Sequence, residues 1–228
     1  MAKSLSVVML GASGAVGGHV VATLLSMPDL ERLTLLGRRE TALPESASKD
    51  AVRQHVVTID SPDTYVEFVA GHDAAVCTLG VGQPSQMTKA EFVHIDKDVV
   101  IAFATICKQN GVRHFELLGA VGADPKSRSF YLRIKGELEA ALIALNFDRL
   151  SLFQPSMILT PANRYGIQQA LTLALWPMLS PVLAGPLHKY RGVPVETLGA
   201  AIAKQLTTHG RGVQRLRWDD FERLTRAS

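Results

Sequence analysis

Leu5-Ser6-Val7-Val8-Met9-Leu10-Gly11-Ala12-Ser13-Gly14-Ala15-Val16-Gly17 decides how the rest of the chain is read. The first six residues fit a buried strand and run directly into a glycine-rich turn of the form GxxGxxG. A helix is expected next, over residues 15–27. A strand, a glycine turn and a helix in that order form the phosphate-binding start of a dinucleotide-binding fold. Each glycine has its own reason. Gly11 lets the chain leave the strand in a tight turn, Gly14 lets a pyrophosphate approach the backbone, and Gly17 lets the helix pack against the strand. The helix then offers unpaired N–H groups and a positive dipole end to the phosphates.

Strand and helix signals alternate along the remaining sequence. Strand candidates are residues 5–10, 33–36, 55–59, 74–79, 114–118 and 149–153, with a seventh near 213–218. Helix candidates lie at 15–27, 62–69, 89–110 and 132–146. Strands separated by helices argue for an α/β fold, a doubly wound parallel sheet of the Rossmann type covered on both faces. At 228 residues the expectation is one domain, 1–228, with residues 155–228 giving a short C-terminal substrate or lid region. On the 89–110 helix, Phe92, Ile95, Val99, Ala102 and Ile106 form a stripe expected to face the sheet. A second stripe, Val93, Val100, Phe103 and Cys107, would leave an apolar face for a homodimer partner.

Composition bounds the function classes. The chain is 47% apolar and 20% charged, which is globular rather than disordered. Its 24 basic and 21 acidic residues leave a net charge of only +3, too small and too scattered to argue for nucleic acid. Arg211, Arg215, Arg217, Arg223 and Arg226 are interleaved with Asp219, Asp220 and Glu222, as on a solvated face. Cys77 and Cys107 read as buried thiols of a reducing compartment. No metal-ligand spacing accompanies them or the seven histidines, so no metal is expected. No secretory signal is visible, and a cytoplasmic location is expected. Residues 167–183 are strongly apolar, but Gln168, Gln169, Pro177 and Pro181 argue against a membrane span. That segment fits a packed helix, a substrate lid or a partner surface.

Candidate chemistry lies in Tyr131-Leu132-Arg133-Ile134-Lys135. Four residues apart on a helix, Tyr131 and Lys135 share one face. An ammonium near a phenol favours the phenolate, lowering the tyrosine and letting it exchange a proton with a carbonyl or hydroxyl oxygen.

An N-terminal GxxGxxG followed by YxxxK after the fifth strand resembles the short-chain dehydrogenase/reductases, over residues 4–205. Further stretches are similar to the atypical branch of TIP30/HTATIP2-like oxidoreductases. They are Leu35-Leu36-Gly37-Arg38-Arg39, Cys77-Thr78-Leu79-Gly80, His114-Phe115-Glu116-Leu117-Leu118, Tyr131 through Glu137, and Phe147-Asp148-Arg149. The resemblance implies that Gly11, Ser13, Gly14, Ala15 and Val16 line a pyrophosphate, with Asp60 at the adenine. Leu79 and Gly80 would pass under the ribose and nicotinamide. Tyr131 would be proton donor or acceptor, and Lys135 would hold the nicotinamide ribose. Gln154, Pro155, Ser156 and Met157 would form the loop beside the nicotinamide amide. One departure stands out: the family's serine, about a dozen residues before the tyrosine, has no hydroxyl counterpart in Leu117 to Ala123. Ser127 and Ser129 are at the wrong offset. Loss of one oriented donor typically costs on the order of 10²–10³ in rate.

The cofactor choice can be read physically. NAD-selective sites place an acidic residue at the end of the second strand. Here Gly37-Arg38-Arg39 stands in that neighbourhood, and a guanidinium suits a 2′-phosphate, so NADP is expected over NAD. The leading expectation is an NADP-dependent reductase of a small, apolar carbonyl or alcohol substrate, with Tyr131 moving the proton. The other is an NADPH-binding sensor or adaptor with little or no turnover. A sugar-nucleotide epimerase is disfavoured by the short C-terminal region.

Overall fold

Leu5–Leu10 forms β1, with Val7 and Met9 in one apolar layer and Val8 and Leu10 in the other. A strand buried on both faces needs a continuous apolar run rather than an alternating one. The computed structural model describes residues 4–43, 51–81, 86–160 and 185–226. After β1 come β2 (Leu30–Gly37), β3 (Val52–Val56), β4 (Ala74–Cys77), β5 (His114–Leu118) and β6 (Arg149–Phe153). The last three strands are β7 (Ile158–Leu159), β8 (Val193–Pro194) and β9 (Gly212–Leu216). Seven of these form one parallel sheet in the order β3-β2-β1-β4-β5-β6-β9. The direction of winding reverses between β1 and β4, which opens a crevice at their carboxyl ends.

Helices α1 (Ala15–Leu25), α2 (Lys89–Val93), α3 (Val99–Gln109), α4 (Phe130–Ala144), α5 (Val195–Gln205) and α6 (Trp218–Arg226) cover this sheet. α1, α5 and α6 share the layer with Val7 and Met9, while α3 and α4 share the layer with Val8 and Leu10. α1 and α5 approach so closely that a Cβ on Gly199 would lie 2.5 Å from His19 Cβ. Within residues 155–228, β9 therefore extends the main sheet, and α5 and α6 cover it. β7 and β8 pair in a small parallel sheet on either side of residues 161–184.

Three local expectations need correction. The third strand lies at Val52–Val56, not 55–59, because it is an edge strand whose place is set by pairing, Leu33 with Val52 through Gly37 with Val56. Its own pattern is weakly apolar, and Val56 is 64% exposed. Residues 62–69 form two short 3₁₀ turns, Pro62–Thr64 and Val66–Phe68, rather than one helix. The 89–110 helix is interrupted by a π-helical turn, His94–Asp98. The buried positions nevertheless keep helical spacing across that turn, from Phe92 through Asp96 to Val99, Val100 and Phe103, a face next to the one expected. Phe92, Val99, Val100, Phe103 and Cys107 are buried, whereas Ile95, Ala102 and Ile106 are only partly so. Much of the stripe expected at a dimer face is thus core. Asp96 takes the inward place expected for Ile95.

Candidate functional site

The glycine turn stands at the mouth of the crevice. Gly11 adopts φ +99°, and a Cβ there would lie 2.5 Å from Leu79 N. Gly17 has its Cβ position blocked by the Gly11 carbonyl oxygen and, at 2.9 Å, by Thr78 Oγ1. The Thr78 hydroxyl donates to Gly11 O at 3.0 Å, fastening the turn to the end of β4. Gly14 is the N-cap of α1, with no side-chain cap and no acidic residue in the first turn. The N–H groups of that turn are therefore available to an anion, and the cradle lacks the Cβ atoms that would fill it. This donor set fits a pyrophosphate. Val16 packs into the apolar core, and Ala15 is partly buried against it.

A cleft of about 340 Å³ opens beside the turn, lined by Gly11, Ser13, Arg38, Arg39, Ile59 and Leu79 among others. The structure thus brings together the glycine turn, both arginines and the first residues after β4. Asp60 follows β3 on the same side. Its Oδ1 lies 2.6 Å from His94 Nε2, and both side chains are about half exposed.

Tyr131 and Lys135 occupy the first two turns of α4. Lys135 Nζ lies 5.9 Å from the centre of the Tyr131 ring, which packs on Phe92 at 5.7 Å. Lys135 is buried and donates to Asp96 Oδ1 at 2.5 Å. A Cβ on Gly80 would lie 3.8 Å from Lys135 Nζ, so the lysine faces the loop after β4. The net direction at the phenol differs from the sequence expectation. Tyr131 is 36% exposed overall, yet partial burial raises it above its ordinary value; Lys135 lowers it less, and Asp96 adds to the rise. Asp96 had no signal in the sequence beyond a charged residue on an otherwise apolar face.

Ser127 and Ser129 have local structural work. Ser129 caps α4, accepting from Leu132 N at 3.5 Å, and Ser127 Oγ accepts from Ser129 N at 3.2 Å. Beyond β6, Pro155 O accepts from Val121 N at 2.9 Å and Met157 O from Val193 N at 2.9 Å. Gln154 Nε2 donates to Glu139 Oε1 at 2.9 Å, while Arg217 Nε donates to Gln154 Oε1 at 3.3 Å. Burial raises the Glu139 carboxyl. The apolar segment 167–183, including Trp176, lies outside the described residues. Among the described residues no helix is long and apolar enough to cross a membrane.

Residues 11–148 match the NAD(P)H-binding family. Rat protein HTATIP2 is 34% identical over 211 residues, covering 92% of this chain and 85% of that protein. A Candida albicans protein named FMP52, mitochondrial, is 27% identical over 75% of this chain and 76% of its own length. Among solved structures, MoeE5 in complex with UDP-glucuronic acid and NAD superposes with a TM-score of 0.71 at 16% identity, covering 92% of this chain and 75% of that one. The Bordetella bronchiseptica enzyme WbmH in complex with NAD+ gives 0.67 at 16% identity, covering 93% and 75%. At such identities the structures share the fold.

Proposed function

The chain belongs to the NAD(P)H-binding family, in the branch that includes HTATIP2, and we propose that it is an NADP-dependent short-chain reductase of a small, apolar carbonyl or alcohol compound. The observation that carries this reading is the placement of Tyr131 and Lys135 on one face of α4, with Lys135 against the loop after β4. In the proposal, Gly11, Ser13, Gly14, Ala15 and Val16 hold the pyrophosphate, with Gly17 keeping the helix close. Arg38 and Arg39 take the 2′-phosphate, and Asp60 stands at the adenine. Leu79, Gly80 and Lys135 meet the nicotinamide ribose, with Pro155 and Met157 beside the amide. The nicotinamide, when bound, supplies the hydride. Tyr131, which is 36% exposed and so reachable from solvent, gives its proton to the substrate oxygen, and a phenol raised above its ordinary value suits a donor.

The absence of a hydroxyl between Leu117 and Ala123 favours a second reading, an NADPH-binding sensor with little turnover. Titration with NADPH and NADH, followed by nicotinamide fluorescence, tests the common premise. A screen of apolar aldehydes and ketones on the wild type and Tyr131→Phe separates the two. Tight NADPH binding with Tyr131-dependent turnover supports the reductase, tight binding without turnover supports the sensor, and failure to bind either cofactor overturns both. A homodimer through the 89–110 helix would use Ile95, Ala102 and Ile106, since Val100, Phe103 and Cys107 are buried. A cytoplasmic location is supported by two unpaired, buried thiols, Cys77 and Cys107. Imaging of a tagged chain tests it against the mitochondrial label of the fungal relatives.

A further inference from the structure

The lysine beside Tyr131 is not a free cation. Lys135 Nζ and Asp96 Oδ1 are 2.5 Å apart, and their side chains are only 6% and 2% exposed. The second carboxylate oxygen, Oδ2, accepts from Val81 N at 2.8 Å. A Cβ on Gly80 would lie 3.3 Å from Asp96 Oδ1, so the carboxylate is wedged between the lysine and the loop after β4. Buried charges persist when they are paired and hydrogen-bonded, and Asp96 provides both for Lys135. Asp96 lies four residues after the buried Phe92 and three before Val99, so it shares their inward face.

We propose that Asp96 is a positioning residue: it fixes Lys135 beneath the Gly80–Val81 loop and, as the lysine's buried counter-charge, sets how much of that charge Tyr131 feels. The proposal rests on the reductase reading of Tyr131. Among the described residues, the charges that act on the phenol are Lys135 from α4 and Asp96 from the π turn. The neighbouring cations are occupied elsewhere. Lys97 pairs with Glu137 at 3.0 Å, while Lys89 and Arg133 lie over the Phe130 ring. From β4, Cys77 is a buried thiol pushed up to about 12 and carries no charge at neutral pH. In carbonyl reduction the hydride goes to the carbonyl carbon, the phenol O–H bond breaks, and its proton goes to the carbonyl oxygen. Solvent then returns a proton to the phenolate. A phenol held protonated favours this direction, whereas alcohol oxidation requires the phenolate and is pushed to high pH.

The test is Asp96→Asn, read by ultraviolet titration of the phenolate that disappears in the matching Tyr131→Phe background. An uncancelled lysine charge near the phenol is expected to lower its pKa by about one unit or more. The alkaline limb of carbonyl reduction moves down by the same amount. An unmoved Tyr131 in a folded Asp96→Asn variant overturns the proposal. The double variant Asp96→Asn/Lys135→Gln replaces the ion pair by a neutral hydrogen-bonded pair and guards against misfolding of the single one. If Asp96 acts as the counter-charge of Lys135, the double variant leaves Tyr131 at or above its wild-type value, because no lysine charge remains to be offset. A clear fall there would mean that Asp96 acts on the phenol without the lysine, and overturns the proposal. The titration needs no turnover: a shifted Tyr131 in a chain without reductase activity sinks the reductase reading alone.

Discussion

Gly17 on α1 lies directly against the carbonyl oxygen of Gly11 on the turn before it, leaving no room for a Cβ. The contact fixes how closely the helix start approaches the end of β4, since Thr78 Oγ1 bonds the same carbonyl at 3.0 Å. Gly17→Ala must push the turn away, and overpacking of this kind costs typically about 1–3 kcal/mol. Urea unfolding should show a loss in that range, with weaker NADPH binding in the folded fraction. Unchanged stability and binding would mean that the turn has slack.

Tyr131→Phe removes one hydroxyl and keeps the ring on Phe92, 5.7 Å between centres. Proton transfer by a positioned side chain contributes typically about 10²–10⁴ in rate, so carbonyl reduction should fall by that factor. NADPH affinity should stay within a few-fold of the wild type. Steady-state kinetics and fluorescence titration of the same preparation check both halves. Retained turnover would remove Tyr131 from the chemistry.

Arg38 and Arg39 both border the cleft that contains Gly11 and Ser13. Hydrogen bonds to a charged group contribute about 1.5–3 kcal/mol, which corresponds to roughly tenfold to a hundredfold in affinity. Arg38→Ala should weaken NADPH by such a factor and leave NADH nearly unchanged. Equal losses for both cofactors would place the guanidinium away from any 2′-phosphate.

His114 and Glu116 meet inside the sheet, with Nε2 and Oε1 3.3 Å apart. Burial lowers His114 to about 3 and raises Glu116 well above the usual carboxylate range. The depressed histidine contributes stability above pH 6.5, and that contribution is lost as pH falls toward 3. The raised carboxyl acts oppositely: its contribution is full below pH 4.5 and is lost as pH rises through its raised value. Between pH 5 and 6.5 the two slopes oppose each other. His114→Gln should therefore lose about 2 kcal/mol less than the wild type on acidification from pH 7.5 to 5, at 1.36 kcal/mol per unit below pH 6.5. Glu116→Gln should lose more than the wild type. Urea unfolding at the two pH values decides, and parallel shifts for all three proteins would refute the assignment.

The parts of the fold that were legible are those whose signals are local. β1, β5 and β6 lie at the bounds expected from their apolar residues, because strands buried on both faces are rich in apolar sequence. β3 was misplaced because an edge strand takes its register from its neighbour. α5 escaped notice, although Val195, Leu198, Ala201 and Ile202 line its buried side. α6 hides its two buried residues, Phe221 and Leu224, among seven polar or half-buried positions. The polar groups His114, Glu116 and Ser151 lie on strands within the sheet, where no periodicity marks a partner across the ladder.

The sequence by itself determined the glycine turn, because a missing Cβ acts within a few residues of its own position, and it set Tyr131 and Lys135 on one helical face through a spacing of four. Only the tertiary structure decided what the lysine does there. Asp96 faces inward with Phe92 and Val99, and the ion pair it makes joins residues 39 apart in the chain. Local spacing carries a side chain's direction, but only the fold brings it the buried partner with which it pairs.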